Sequence, residues 1–147
     1  MIYIGADHRG FELKEHVKQW LKREGYEVED VGAHVFDPED DSFDSAVKVA
    51  EMVEGTQGDR GILFCGSGHG EDMATNRFPG IRAILGFNLD VTVQGREHWD
   101  ANVLILPAEW VSQDEAQARV EAFLTTEKSM VDRYERRCGR LARLQAK

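Results

Sequence analysis

Three glycines within five residues, Gly66, Gly68 and Gly70, follow Cys65 in the run Cys65-Gly66-Ser67-Gly68-His69-Gly70. Glycines at this density let several backbone N–H groups converge just where a helix begins, and such a turn holds an anion through its amides and the helix dipole. Cys65 heads the turn, where nearby amides favour a thiolate. A buried structural cysteine with glycines for close packing fits the same pattern, so both readings stay open. The segment lacks the Lys-Ser/Thr ending of a P-loop, which speaks against nucleotide triphosphate hydrolysis, and no dinucleotide fingerprint follows the first predicted strand. Asp7-His8 is a second candidate, able to orient a hydroxyl or a phosphate, or simply to satisfy itself as a polar strand end. His98, in Arg96-Glu97-His98-Trp99-Asp100, carries the same two readings. Arg133 and Arg137 stand four apart on a predicted helix and face one way. Two guanidiniums so placed suit a phosphate, or they pair with nearby acids. The five histidines and two cysteines lack zinc-like spacing, so no metal site is expected.

The elements that must position these residues alternate along the chain. Short apolar runs at Met1–Ile4, Tyr26–Val31, Gly61–Cys65, Ile81–Gly86 and Val103–Leu106 read as five strands. The third is nearly all apolar, as a central parallel strand covered on both faces would be, while charges in the second point to a sheet edge. Helical spacing predicts helices over Phe11–Glu24, from about Ser42, over Glu71–Asn76, around Asp90–Glu97, from about Ser112 to Leu124, and over Met130–Leu144. Strands alternating with helices specify an α/β fold with a parallel sheet between two helical layers. Ligands in such sheets bind beyond the carboxyl ends of the strands, where Asp7-His8 and the Cys65 turn fall.

The chain has 147 residues, which fits a single domain over 1–147 able to bury a core without staples. Lys and Arg number 18 against 27 Asp and Glu, a formal net charge of −9. That balance argues against nucleic acid or an anionic membrane as partner. No apolar run approaches the roughly 20 residues of a membrane span, the first residues do not read as a signal peptide, and two cysteines suggest a reducing cytoplasm. Charge is uneven: Asp30–Asp59 holds nine acids and one base, and Arg133–Lys147 six bases and one acid. Such runs ordinarily mark solvated faces, though the basic tail bears on any anion the chain must hold.

Taken together, several ordered motifs resemble the ribose-5-phosphate isomerase B family, which includes the galactose-6-phosphate isomerase subunits. They are Gly5-Ala6-Asp7-His8-Arg9-Gly10-Phe11 with Leu13-Lys14, Asp59-Arg60-Gly61-Ile62-Leu63, Cys65-Gly66-Ser67-Gly68, Asn76-Arg77-Phe78-Pro79-Gly80-Ile81-Arg82-Ala83, Arg96-Glu97-His98 with Asp100-Ala101-Asn102-Val103-Leu104, and the closing Arg133 and Arg137. The resemblance implies a Rossmann-like αβα sandwich and cofactor-free aldose–ketose isomerisation of a sugar phosphate through an enediolate, with ribose 5-phosphate and ribulose 5-phosphate as the default pair. It implies that the amides of Gly66–Gly70, with Ser67 among them, hold the enediolate oxygen. It also implies that His98 opens the sugar ring, that Asp7 and His8 contact the substrate, and that Arg133 and Arg137 bind phosphate. It further implies a homodimer or tetramer with the site between subunits, the C-terminal helix over about 130–145 packing on the partner.

One branch of the family uses a cysteine at the position of Cys65 as base; another has glycine there and a glutamate at the position of Glu71. This chain carries both. Cys65 is favoured because it opens the turn, with Glu71 as the alternative base or merely a favourable acid in a helix's first turn. Three departures bear on specificity: Asp41-Ser42-Phe43 where Asp-Tyr-Pro is common, Trp99 where asparagine usually follows the histidine, and Tyr134 where histidine often follows the first arginine. Trp99 and Ser42 leave a tetrose or hexose phosphate open as substrate. A non-catalytic flavodoxin-like module that binds sugar phosphates would have no need of Cys65, Glu71, His98 and Asp7 together.

Overall fold

The computed structural model describes residues 1–145. Five strands, β1 (Ile2–Ala6), β2 (Val28–Gly32), β3 (Arg60–Cys65), β4 (Ala83–Leu85) and β5 (Val103–Pro107), form one parallel sheet in the order β2-β1-β3-β5-β4. The apolar β3 is central and the charged β2 is at an edge, as their compositions require. Among the described residues, six α-helices cover the sheet: α1 (Phe11–Arg23), α2 (Ser42–Val53), α3 (His69–Thr75), α4 (Leu89–Trp99), α5 (Gln113–Thr125) and α6 (Asp132–Gln145). The expected α/β sandwich is therefore the fold.

Alternate residues of the central strands feed two cores. Ile62, Phe64, Leu104 and Leu106 face α1 and α5, while Leu63, Cys65, Val103 and Ile105 face α2 and α3. On α1 the buried Leu13, Val17 and Leu21 form one stripe; each such side chain contributes about 1.5–3 kcal/mol through burial. Helix starts are set by local chemistry. Asp41 accepts from Phe43 N–H, Asn88 from Val91 N–H, and Ser112 with Glu115 makes a reciprocal capping box.

Element limits differ from the sequence expectation in three informative places. β4 begins at Ala83 because the Arg82 N–H is taken by the Asn102 side chain at 2.7 Å. α3 begins two residues early because Gly68, at φ +87°, turns the chain into the helix. α4 runs on through His98 and Trp99, so both stand on its last turn. The C-terminal helix rests with one side on this chain's own α4; Leu144 on it, and Met130 and Val131 just before it, are exposed. No helix among the described residues is long and apolar enough to cross a membrane.

Candidate active site

The sheet's topological switch lies between β1 and β3, from which the chain winds in opposite directions, and ligands of such sheets bind beyond the carboxyl edge at that point. Asp7 follows β1, Cys65 ends β3, and Glu71 sits in the first turn of α3. All three are buried. Asp7 accepts from the Gly10 N–H at 2.9 Å. Gly10 has no room for a side chain, since a Cβ there would lie 2.0 Å from the Phe64 carbonyl oxygen. That close approach presses the start of α1 onto the end of β3 and fixes Asp7 beside the turn. Gly68 is constrained likewise, by its left-handed backbone and by Leu85, which a Cβ would meet at 2.4 Å.

Three acidic groups thus share one desolvated space. Burial raises the Glu71 carboxyl above its ordinary value, and the charge of Asp7 pushes the same way, opposed by hydrogen bonding from the Cys65 thiol. Burial also raises Asp7. The Cys65 thiol is pushed up strongly, first by burial and then by the Glu71 carboxylate, with Asp7 adding to both. Burial first, and the neighbouring carboxylates after it, thus oppose the thiolate that the turn's amides favour. Among the described residues, Glu71 Oε1 is the one buried side-chain oxygen or nitrogen without a hydrogen-bond partner. A buried carboxylate oxygen left unpaired costs stability and calls for a functional account. Ser67 is exposed at the tip of the turn, with Gly66 and Gly68 buried beneath it and Gly70 half-buried.

His8 borders this cluster. Its backbone N–H donates to Asp40 Oδ1 at 3.0 Å, and its Nδ1 lies 2.7 Å from the same oxygen. This orients the ring and leaves Nε2 for a ligand. Asp40 is a site residue that sequence reasoning missed, one acid among the nine of Asp30–Asp59, with no spacing to mark it. The loop that carries it is tied down by Lys14, a fully buried ammonium that donates to both Asp30 carboxylate oxygens at 2.9 and 2.8 Å and to the Ala33 carbonyl.

The other candidates stand elsewhere. α4 is capped at its start by Asn88, beyond the carboxyl end of β4, and at its end by Asp100, which Arg82 pairs with at the amino edge of the sheet. Its 11 residues span about 16 Å, so His98 and Trp99 lie at the end of the sheet opposite Cys65. Arg133 and Arg137 lie with them, because α6 packs on α4: the His98 and Tyr134 rings stack at 4.1 Å, and Cys138 Sγ donates to the His98 carbonyl at 3.4 Å. Trp99 and Arg137 line one cavity of about 330 Å³ together with Leu141 and Leu144. Within one chain the candidates therefore form two groups, acids and amides at one edge, and His98, Trp99, Arg133 and Arg137 at the other.

A parallel αβα sandwich with an acid cluster and an amide-rich turn at its switch point defines a small-ligand α/β protein built for proton chemistry on a polar anion. The model of the ribose/galactose isomerases matches residues 2–141, and the chain belongs to that family. Ribose-5-phosphate isomerase B of Mycobacterium tuberculosis is 37% identical over 141 residues, 96% of this chain and 87% of that protein. The crystal structure of ribose-5-phosphate isomerase B from Mycoplasma genitalium, with bound ribulose 5-phosphate, superposes with a TM-score of 0.94 at 35% identity, covering 99% of this chain and 96% of that one. A 4-deoxy-4-sulfo-D-erythrose isomerase of a Clostridium strain is 34% identical over 127 residues, 85% of this chain and 79% of its own.

Proposed function

We propose that this chain is an aldose–ketose isomerase interconverting ribose 5-phosphate and ribulose 5-phosphate in the cytoplasm, with Glu71 as the proton-transfer base. The observation that carries the assignment of the base is the unpartnered Glu71 Oε1 beside a thiol held protonated. A carboxylate whose proton affinity is raised by burial takes a proton from carbon more readily than an ordinary one, and a proton affinity nearer the working pH suits a group that must both take and return it. In this mechanism His98 protonates the ring oxygen and relieves the anomeric hydroxyl of its proton, opening the sugar. Glu71 removes the proton from C2, and electrons move to the carbonyl oxygen to give the enediolate. The amides of Gly66–Gly70, with the Ser67 hydroxyl at hand, hold that oxygen; the hydroxyl proton on O2 passes to O1, and Glu71 returns its proton to C1 as O2 becomes the ketone oxygen. Asp7 and His8 orient hydroxyls, and Arg133 and Arg137 hold the phosphate.

These steps need both groups within reach of one small sugar, and one chain puts them at opposite edges of the sheet. The site we propose is therefore shared: the acid cluster of one copy faces His98, Arg133 and Arg137 of another. The apolar side chains left open at Trp99, Met130, Val131 and Leu144, and at Phe43 and Met73 beside Gly70, supply surface for such pairing. Two free cysteines accord with a reducing compartment.

A second reading, a four-carbon substrate, is favoured by Trp99, whose indole shares the cavity of Arg137 and shortens the space beside it, and by the relative that acts on a sulfonated erythrose. Turnover measured by NMR on four-, five- and six-carbon aldose phosphates and on 4-deoxy-4-sulfo-D-erythrose separates the readings. The five-carbon substrate should give the highest kcat/KM. A preference for a four-carbon compound would establish the second reading, and thermal stabilisation by sugar phosphates without any turnover would establish a binding module.

A further inference from the structure

Tyr134 touches two of the three side chains that the proposed reaction draws from the amino edge, His98 and Arg133. Its ring lies nearly parallel to the His98 imidazole, 18° apart at 4.1 Å between centroids. The Arg133 guanidinium carbon stands 4.9 Å from the centroid of the same ring, and Arg133 Nη2 donates to the Tyr134 hydroxyl at 3.1 Å. One turn further along α6, Cys138 Sγ caps the His98 carbonyl at 3.4 Å. Among the described residues the His98 ring makes no hydrogen bond and Arg133 no ion pair, so the phenol is the anchor that the two side chains share.

We propose that Tyr134 is a positioning residue that sets the ring-opening imidazole and the phosphate-binding guanidinium as one unit. The inference rests on the roles given to His98 and Arg133 above. The two contacts use different parts of the phenol and act on different steps. The aromatic face restricts rotation of the imidazole about its side-chain torsions, holding its nitrogens toward the ring oxygen of a bound sugar; off-axis rotation of a proton donor is costly because transfer needs near-linear geometry. The hydroxyl accepts from one arm of the guanidinium, so the remaining N–H donors keep a fixed fork for a planar anion. An imidazole at this position would offer a stacking face but no phenolic oxygen at that reach, so the tyrosine adds the arginine anchor to the stack.

The two parts separate experimentally. Tyr134→Phe keeps the stack and removes only the hydroxyl; Tyr134→Leu removes both. Tyr134→Phe should raise KM for ribose 5-phosphate about two- to tenfold, the range a single hydrogen bond supplies, with kcat within about twofold of wild type. Tyr134→Leu should in addition lower kcat about two- to tenfold, as expected for a lost aromatic stack, with Phe at the position restoring it. Melting temperature is measured for each variant, and His98→Asn and Arg133→Ala are run as references. If the references damage catalysis while Tyr134→Leu matches wild type in both constants, the positioning role is wrong. If Phe and Leu are equally impaired in kcat, or lose activity only in proportion to lost folded protein, the residue is merely structural and the proposal falls. If His98→Asn and Arg133→Ala are themselves silent, the underlying assignment of the site fails instead.

Discussion

Glu71→Gln keeps the shape of the buried side chain and one of its oxygens while removing its capacity to carry a proton, and Cys65→Ala removes the adjacent thiol while leaving the carboxylate. The pair therefore isolates the base. Loss of a positioned general base costs about 10²–10⁴-fold in rate, and Glu71→Gln should lower kcat by that amount with little change in KM, because phosphate is held by other residues. Cys65 is 1% exposed and packs among Leu63, Val103 and Ile105. Truncating it leaves a small void worth about 1 kcal/mol, or about 2–4 °C in Tm for a chain of this size, with kcat kept within about tenfold of wild type. The pH profile adds a second readout. Burial raises Glu71 above its ordinary 4.5, while the thiol's hydrogen bond lowers it. The acid limb of kcat/KM should accordingly lie above 4.5 and move further up in Cys65→Ala. A dead Cys65→Ala beside a near-normal Glu71→Gln would refute the reasoning and restore Cys65 as base.

The same buried carboxyl governs stability. A group whose proton affinity is raised in the folded state contributes stability that is present below its unfolded value and lost as pH rises through the folded one. Glu71→Gln should therefore melt at a higher temperature than wild type at neutral pH, with the advantage fading as pH falls toward 4.5; an advantage that grows on acidification would contradict this. Gly68→Ala forces a Cβ to 2.4 Å from Leu85 and 3.0 Å from Ile105 at φ +87°. It should cost about 1–3 kcal/mol in denaturant unfolding and disturb the turn, whereas an unchanged midpoint would show that the loop relaxes freely. Lys14→Met deprives the Asp30 carboxylate of one ammonium and leaves Lys18 Nζ donating to Oδ2 at 2.6 Å; burial raises the proton affinity of Asp30 and the two lysines outweigh it. A loss of about 1–3 kcal/mol in denaturant unfolding is expected.

Much of the scaffold was written in local pattern. Ile62-Leu63-Phe64-Cys65 leaves no polar face and must be covered twice, hence the central strand, and Ser112 with Glu115 spells its own capping box. The carboxyl-edge residues Asp7 and Cys65 were legible because strand ends in a parallel sheet locate the ligand edge, whereas Glu71 was marked by the family resemblance alone. What local pattern does not encode is pairwise tertiary chemistry. Asp40 meets His8 across 32 residues, and Lys14 meets Asp30 across the α1–β2 turn; each looks like an ordinary surface charge in its own segment. The sign of the Cys65 shift was missed for the same reason. A turn of amides favours a thiolate, and only the fold shows the sulfur buried, with the Glu71 and Asp7 carboxylates beside it. His98 and Trp99 read as the residues before a strand, yet they complete α4, and the helix length carries them to the far edge.

That separation makes the shared site the central claim, and mixed subunits test it most directly. Inactive Glu71→Gln and inactive His98→Asn proteins are unfolded together, refolded at equal amounts and assayed on ribose 5-phosphate. If each site takes Glu71 from one copy and His98 from the other, half the dimers are hybrids with one intact site of two, and roughly one quarter of wild-type turnover returns. If both residues of a site come from the same chain, no hybrid contains an intact site, and the mixture stays as inactive as its components.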